Sequence, residues 1–572
     1  MLLNSIIVAI LSYLYYIKSF ISNSELINLN FDLLSRQVLV LPEDDINFNI
    51  SSENFIQTSF SNYTFNHGVA SGDPTLDSII VWTRITPNEY LKETQLVPVE
   101  FSISEDQNFT KILTKGITFT NGLIDYTVKL DITGLTANHT YYYKFNTLGG
   151  VHVESEVGET KTLPHPNQED NVKLAVYSCA NYAGGYYHAY KFPVLKNSVD
   201  YVIHLGDYIY EFANGVYTNG TSLGRDHVPE HECKTLQDYR LRYASYRSDE
   251  NLQKSHSKFP WILVWDDHEV ADNSWLRGSV ETNGYEFLKR RDEATQAYFE
   301  WLPIRPQKNL SKIWRNFKFG KLFQINMLDT RHYSRDITDY YHNQEMIKNL
   351  VNFEDRTMLG YDQEEWLERR LLDNDTVWNF IASQCVVRDI DFTLPETGGL
   401  GFPFEEFNQD AWDGYIANRN RILNFIKDNN LLNTIILSGD FHIAITSELS
   451  LPDGEYNIET GEGTIVVEFT TSAVSSPTTF PKHFDESQSL LMSKELVGNN
   501  DLIWNDGFWR GYIELNIGME NVTTDYYGVD IKDASSKQEI HMARFVVKKD
   551  ISHIDRESIE TNSGALNDKL GK

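Results

Sequence analysis

Seven short apolar runs lie between Val172 and Phe469: Val172 to Tyr177, Tyr201 to Leu205, Ile262 to Trp265, Leu322 to Leu328, Val377 to Ile381, Asn433 to Leu437 and Thr464 to Phe469. Runs this short and this uniformly apolar read as strands covered on both faces. Between them, Leu236 to Lys254, Tyr285 to Leu302, Asp362 to Asp373 and Asp413 to Asn429 carry a helical period. Strands taking turns with helices predict an α/β layered domain, its central mixed β-sheets flanked by helices, over 171–545. No internal repeat interrupts the pattern. At 572 residues the chain exceeds what one small core needs, so at least one further domain is expected.

That domain lies upstream. Ile79 to Trp82, Val97 to Ile103, Tyr126 to Ile132 and Tyr141 to Phe145 are β-rich and separated by turn signals. Leu135 and Tyr141 have the spacing of a tyrosine corner, in which a buried phenol bonds nearby backbone. A small all-β sandwich over 65–163 follows, of the fibronectin or immunoglobulin kind. Pro164 to Asp170 is the polar linker after it. Beyond Ile551 the chain is polar, and 551–572 is expected to be a loosely ordered tail.

Charge narrows the partners. Lys and Arg number 50 against 81 Asp and Glu, a net −31 that repels phosphate backbones and anionic membranes. No nucleic-acid scaffold role is expected, and an anionic substrate would need positive charge supplied locally, most simply by metal. Three cysteines, Cys179, Cys233 and Cys385, are too few for a disulfide framework, and their odd number leaves one thiol to be explained.

Residues 1–24 read as a signal peptide. Ile6 to Ile17 is an apolar run broken only by Ser12, with Ser22 and Ser24 near a cleavage site. The alternatives are an uncleaved anchor, since no Lys or Arg precedes the run, and a buried N-terminal helix. No other run is long enough to span a membrane. The sequons at Asn49, Asn62, Asn108, Asn138, Asn219, Asn309, Asn374 and Asn521 agree with a secreted glycoprotein.

The chemistry gathers where the apolar runs stop. Val172 to Tyr177 leads into Ser178-Cys179-Ala-Asn-Tyr182, and Tyr201 to Leu205 into Gly206-Asp207-Tyr-Ile-Tyr210-Glu211. Trp261 to Trp265 leads into Asp266-Asp267-His268-Glu269, and Ile435 to Leu437 into Ser438-Gly439-Asp440-Phe441-His442. The carboxyl ends of strands in such a sheet share one edge, where a site forms. Acids crowded there cannot stay ionised and unpaired, and bound cations resolve the conflict. Taken singly, a Gly-Asp is an ordinary turn, an Asp-His pair an ordinary loop or cap, and Cys179 a small buried hydrophobe. Their conjunction at four strand ends is what points to a metal centre.

These motifs resemble the scattered signature of calcineurin-like metallophosphoesterases. With Asp410-Ala-Trp-Asp-Gly-Tyr415, Gly68-Val-Ala-Ser-Gly-Asp-Pro74 and Val81-Trp-Thr-Arg84, they look specifically like the PhoD-type alkaline phosphatase and phosphodiesterase branch. The resemblance implies a secreted metal-dependent phosphatase or phosphodiesterase that hydrolyses phosphate esters by a metal-activated hydroxide. It implies Fe(III) held by Cys179, Asp207, Tyr210, Asp440 and His442, a donor set that suits trivalent iron. Ca²⁺ is implied at Asp207, Asp267 and Asn273, and other divalent metals could serve. His268, with Asp267 beside it, matches the catalytic position, protonating the leaving alkoxide or holding phosphate. Asp266 would orient a ligand or backbone. His188, Arg331 and Tyr187 are weaker candidates for substrate contact. A thiolate ligand would account for Cys179 and leave Cys233 and Cys385 able to pair. Two alternatives stand beside this reading: a non-catalytic secreted binding protein with a degenerate phosphoesterase domain, and a purple-acid-type phosphatase with a tyrosinate iron site and no thiolate.

Overall fold

A computed structural model describes residues 28–31, 62–88, 91–148, 151–373, 375–391, 408–452, 454–481 and 484–571. The leader region, the sequons at Asn49 and Asn374 and most of the Leu394 to Gln409 loop lie outside the described residues. The chain divides into two compact units. The first comprises the chain to Thr162 with Gln253–Trp261 and Gln296–Pro306, and the second comprises Leu163–Leu252, Ile262–Thr295 and Gln307–Lys572.

In the first unit, Val69–Gly72, Ser78–Arg84 and Thr127–Thr133 pair antiparallel in that order. A second antiparallel sheet takes the order Ile112–Thr120, Val97–Ser104, Thr140–Thr147, Gly158–Lys161. Side chains in a strand alternate between its faces. Ile79 and Val81, Val97 through Ile103 by twos, and Tyr141, Tyr143 and Phe145 accordingly fall into one buried cluster with Val128, Leu130 and Ile132. The Thr136 amide donates to the Tyr141 hydroxyl at 2.8 Å, so the phenol ties down the turn as the spacing suggested. Two segments remote in sequence complete the unit. Pro260 and Trp261 run parallel to Ser71 and Gly72, and the Glu300 carbonyl accepts from the Trp82 indole at 2.8 Å.

The second unit holds two mixed sheets. One runs Glu560–Thr561, Glu539–Lys548, Asn521–Val529, Arg510–Ile517, Val172–Tyr177, Tyr201–His204, with the last two parallel. The other has the eight-strand order Arg315–Phe319, Phe323–Met327, Trp378–Ala382, Thr434–Ser438, Val466–Thr470, Ala444–Leu449, Trp504–Asp506, Ala565–Leu566. Its central four strands, from Phe323 to Thr470, are parallel and fully buried. Helices Tyr361–Leu372 and Ile416–Asp428 cover it through Leu367, Leu371, Ile422, Leu423 and Ile426.

Three features differ from expectation. The helix expected over 236–254 is two helices, Leu236–Tyr246 and Glu250–Lys258. Asp249 accepts from the Asn251 and Leu252 amides and so begins a new helix where the period alone continued. The segment after Ile551, expected to be a loose tail, contributes strands Glu560–Thr561 and Ala565–Leu566, and the buried Glu448 carboxylate pairs with Arg556. Finally, Cys233 and Cys385 do not pair: all three thiols are free and buried. Cys233 Sγ faces the Asp238 carbonyl, and Cys385 Sγ lies 3.8 Å from the Thr330 hydroxyl.

Candidate metal centre

The turns after Tyr177, His204 and Ser438, and the loop at Asn273, include residues held in the left-handed region of backbone space. Cys179, Asp207, Asn273, Asp440 and His442 have φ of 61°, 56°, 45°, 64° and 59°. Non-glycine residues adopt this conformation at a cost, and such strain collects at functional sites. Five of the residues singled out from sequence share it. The neighbouring glycines answer to crowding. At Gly206, with φ of 108°, a Cβ would lie 2.5 Å from the Asp266 amide nitrogen, and at Gly439 it would meet the Ser178 side chain at 2.6 Å.

The turns are laced together by buried groups. Cys179 and Ala180 amides donate to the Gly206 and Asp207 carbonyls at 3.1 and 2.8 Å, locking two strand ends in step. Glu269 accepts from the amides of Asp207, Tyr208 and Asp266 at 3.1, 2.6 and 2.7 Å. Its carboxylate thus positions the loops that carry Asp207 and Asp267. The Arg510 guanidinium donates to the His442 carbonyl and holds the last turn.

Ligand-type atoms converge in three groups, each within 4.8 Å: Cys179, Asp207 and His442; Asp207, Asp267 and His268; and Asp266, Asp267 and Asp440. Asp207 belongs to two groups and Asp267 to two, so the three are contiguous. Tyr210 joins the first, its hydroxyl 2.7 Å from Asp207 Oδ2 and 3.1 Å from His442 Nε2. Asp440 falls with Asp266 and Asp267 rather than with the thiol. Asn273 is adjacent, its amide donating to Asp267 Oδ2 at 2.7 Å and its side-chain nitrogen to the Asp339 carbonyl at 3.1 Å.

Electrostatics describes a centre built for cations. Burial, with Asp207 close by, pushes the Cys179 thiol well above its ordinary range. Burial likewise raises Asp207, although His268 opposes it, and raises Tyr210, with Asp207 adding to the effect. His442 is driven down to about 3 by burial and by Arg510 and His268, so its imidazole is neutral and able to ligate. Asp207 Oδ1, in addition, is buried without a hydrogen-bond donor. Thiol, phenol and carboxylate that would all lose protons only beside positive charge are the donor set a metal demands. The residues present fit one.

His268 stands over this floor. Its Nδ1 is 2.8 Å from Glu211 Oε2, its Nε2 4.0 Å from Asp267 Oδ2, and its ring stacks on Tyr210 at 4.2 Å. Burial would discharge it, but Asp267, Glu211 and Asp207 outweigh burial and hold it protonated well above the ordinary histidine range.

Three weaker sequence candidates are placed elsewhere or otherwise employed. Tyr187 donates to the Ala180 carbonyl at 2.7 Å and lies under Arg225, and His188 meets the Asp533 carbonyl at 2.9 Å. Neither is brought into the three groups. Arg331 is at the centre, fully buried and engaged by aspartates. It clamps Asp266, reaches Asp410, and donates to Asp440 at 2.7 Å. Asp410 is in turn held by Arg335 at 2.7 Å. Sequence reasoning did not assign Glu211, Glu269, Asp410 or Tyr217. The first three lie inside motifs quoted for other residues. Tyr217, whose hydroxyl is 3.2 Å from His442 Nδ1, sits in a loop with no sequence signal of its own.

Comparison with known proteins bears on the same residues. The model of the PhoD-like phosphatase family matches residues 174–526, and that of the PhoD-like phosphatase N-terminal domain matches residues 50–164. Alkaline phosphatase D of Bacillus subtilis (strain 168) is 36% identical over 518 residues, covering 89% of this chain and 85% of that protein. The solved structure of PhoD superposes with a TM-score of 0.75 at 32% identity, over 89% of this chain and 94% of that one. Purple acid phosphatase PPD1 from yellow lupin seeds shares the fold, with a TM-score of 0.52 at 14% identity over 88% of this chain and 78% of that one. A non-catalytic, degenerate domain is not what these likenesses describe. Motifs, fold and metal-ready strand ends agree, and the chain belongs to the PhoD-like phosphatase family.

Proposed function

We propose that this chain is a secreted phosphatase or phosphodiesterase whose centre takes Fe(III) at Cys179, Asp207, Tyr210 and His442 and Ca²⁺ among Asp207, Asp267, Asn273 and Asp440. The observation that carries the reading is the convergence of a thiol, a carboxylate and an imidazole within 4.8 Å, with the carboxylate shared by the next group. Thiolate and phenolate suit trivalent iron, and the oxygen donors of the neighbouring group suit a hard divalent cation. The thiol also separates this site from a purple-acid type. When bound, the cations supply Lewis acidity toward the phosphoryl oxygens and activate water.

The chain's own residues do the rest. Glu211 fixes His268 through Nδ1, so Nε2 carries the proton that the leaving alkoxide takes. Asp267, 4.0 Å from that nitrogen, helps hold the proton until then. Arg331 holds Asp266 and Asp440 in place and opposes the burial that raises both carboxyls, and Glu269 sets the loops that present Asp207 and Asp267. The first unit is read as a sandwich of the fibronectin or immunoglobulin kind, on the support of its two antiparallel sheets and the Tyr141 corner. Secretion is supported by the apolar leader and by the exposure of the sequons at Asn62, Asn108, Asn219, Asn309 and Asn521. No helix among the described residues is long and apolar enough to cross a membrane.

The test is elemental analysis of the purified chain together with hydrolysis of p-nitrophenyl phosphate and bis-p-nitrophenyl phosphate. Iron and calcium should co-purify with turnover, and Asp207→Asn should lose the metals and the turnover together. A fully active protein free of iron would overturn the assignment.

A further inference from the structure

His442 has a phenol at each ring nitrogen, and the Pro477 carbonyl also bonds the imidazole. Nε2 lies 3.1 Å from the Tyr210 hydroxyl, which is itself 2.7 Å from Asp207, so Nε2 is the nitrogen on the Cys179 and Asp207 side. Nδ1 lies 3.2 Å from the Tyr217 hydroxyl. A neutral imidazole carries one proton. A cation on Nε2 therefore needs that proton on Nδ1, and the proton needs an acceptor.

The Tyr217 side chain is built into position. Its ring lies parallel to that of Tyr210, 5.7 Å away at 7°, and packs against Phe212 at 5.3 Å. The loop beneath is stapled: Gly215 donates to the Thr218 carbonyl at 2.9 Å, Thr218 to Asn181 at 2.8 Å, and Asn214 bonds the His227 backbone in both directions. A phenol held this firmly against an imidazole nitrogen has the form of an outer-shell partner to a metal ligand.

The geometry points to Tyr217 as the positioning residue of the centre: its hydroxyl accepts the Nδ1 proton of His442 and so keeps Nε2 open to the cation. This rests on reading the Cys179, Asp207 and His442 group as a cation site. Because it acts through His442, its effect falls on cation affinity.

The full chain, stripped by chelator, is titrated with ferric citrate while the charge-transfer absorption of the loaded site is followed. Tyr217→Phe keeps the ring and removes the hydroxyl. Its cation affinity should fall about 10- to 100-fold, with the melting point of the stripped protein unchanged. Thr218→Ala, which loosens the same loop without touching His442, should bind as the wild type does. Equal affinity in Tyr217→Phe and wild type overturns the inference, as does an equal loss in both variants, which would make loop integrity the cause. A wild-type chain that takes up no iron overturns the cation-site reading instead.

Discussion

Glu211 and His268 form a buried dyad, Oε2 to Nδ1 at 2.8 Å, and the other Glu211 oxygen accepts from the Asp272 amide at 2.6 Å. The carboxylate is therefore fixed before it fixes the imidazole. Asp267, Glu211 and Asp207 together hold His268 protonated against burial. Cations would neutralise the two aspartates and leave Glu211 as the charge that sustains the acid.

Glu211→Gln should accordingly lower kcat by about 10- to 100-fold with a smaller change in KM. The sign of the pH effect follows. An acid must be protonated to act, so activity falls as pH rises through its pKa. Removing the neighbouring negative charge lowers that pKa, and the alkaline limb of the kcat profile should move to lower pH. A limb that stays in place would exclude Glu211 from this role.

Arg331 concentrates a different risk. It is fully buried between Asp266, Asp410 and Asp440. Removing the guanidinium takes the buried counter-charge from Asp266 and Asp440, while Arg335 still holds Asp410, at a cost of about 3–5 kcal/mol. Arg331→Met should lower the stability of the cation-free protein by that order in urea unfolding. Added cations should recover part of the loss by neutralising the acids. Arg331→Lys should still be destabilised, because an ammonium cannot clamp Asp266 through two nitrogens while reaching Asp440.

What sequence could show here, and what it could not, divides along physical lines. The four strand ends were legible because an apolar run ending in Gly-Asp or Asp-Asp-His is a local pattern, and the strands at Val172–Tyr177 and Thr434–Ser438 lie where the runs placed them. The left-handed φ of Cys179, Asp207, Asp440 and His442 was not legible, because nothing in their residue types demands it. Arg331 was seen as a candidate for substrate contact, but its clamp on three aspartates was not foreseen. Its burial depends on Asp266, Asp410 and Asp440 arriving from three separate segments. The same holds for Tyr217, which owes its role to a contact 225 residues away in sequence. The meander from Arg510 to Lys548 escaped notice because its strands alternate with polar residues and follow no chemical motif.

Stripping the cations should make stability strongly pH-dependent. Burial raises Asp440 to about 6 and Glu269 and Asp272 to about 7, from ordinary values near 4. Between about pH 4 and 7 these carboxyls bind more protons in the native state than in the unfolded chain, and although buried imidazoles such as His442, held at about 3, pull the other way up to about 6.5, the stability the carboxyls contribute falls as pH rises through that window. Melting points of chelator-treated protein should drop from pH 4 toward 7, and cation loading should flatten the curve. A stripped protein with the same melting point across the window would show that the acids carry no such strain.

Lys129 makes the opposite prediction in the first unit. The side chain is wholly buried, its ammonium donates to the Phe299 carbonyl, and burial, only partly offset by Asp73 and Glu300, lowers its pKa from 10.5 to about 7. A base whose native pKa is depressed is disfavoured in its charged form by folding. Between about pH 7 and 10 the unfolded chain binds the extra proton, so this residue adds stability as pH rises and adds no slope below 7. Lys129→Met removes the titration while keeping a side chain of similar length. The difference in melting point, wild type minus variant, should be level up to pH 7 and then climb toward pH 10. A difference that stays level across that range would mean that Lys129 remains protonated in the fold, with Asp73 and Glu300 holding the charge that burial opposes.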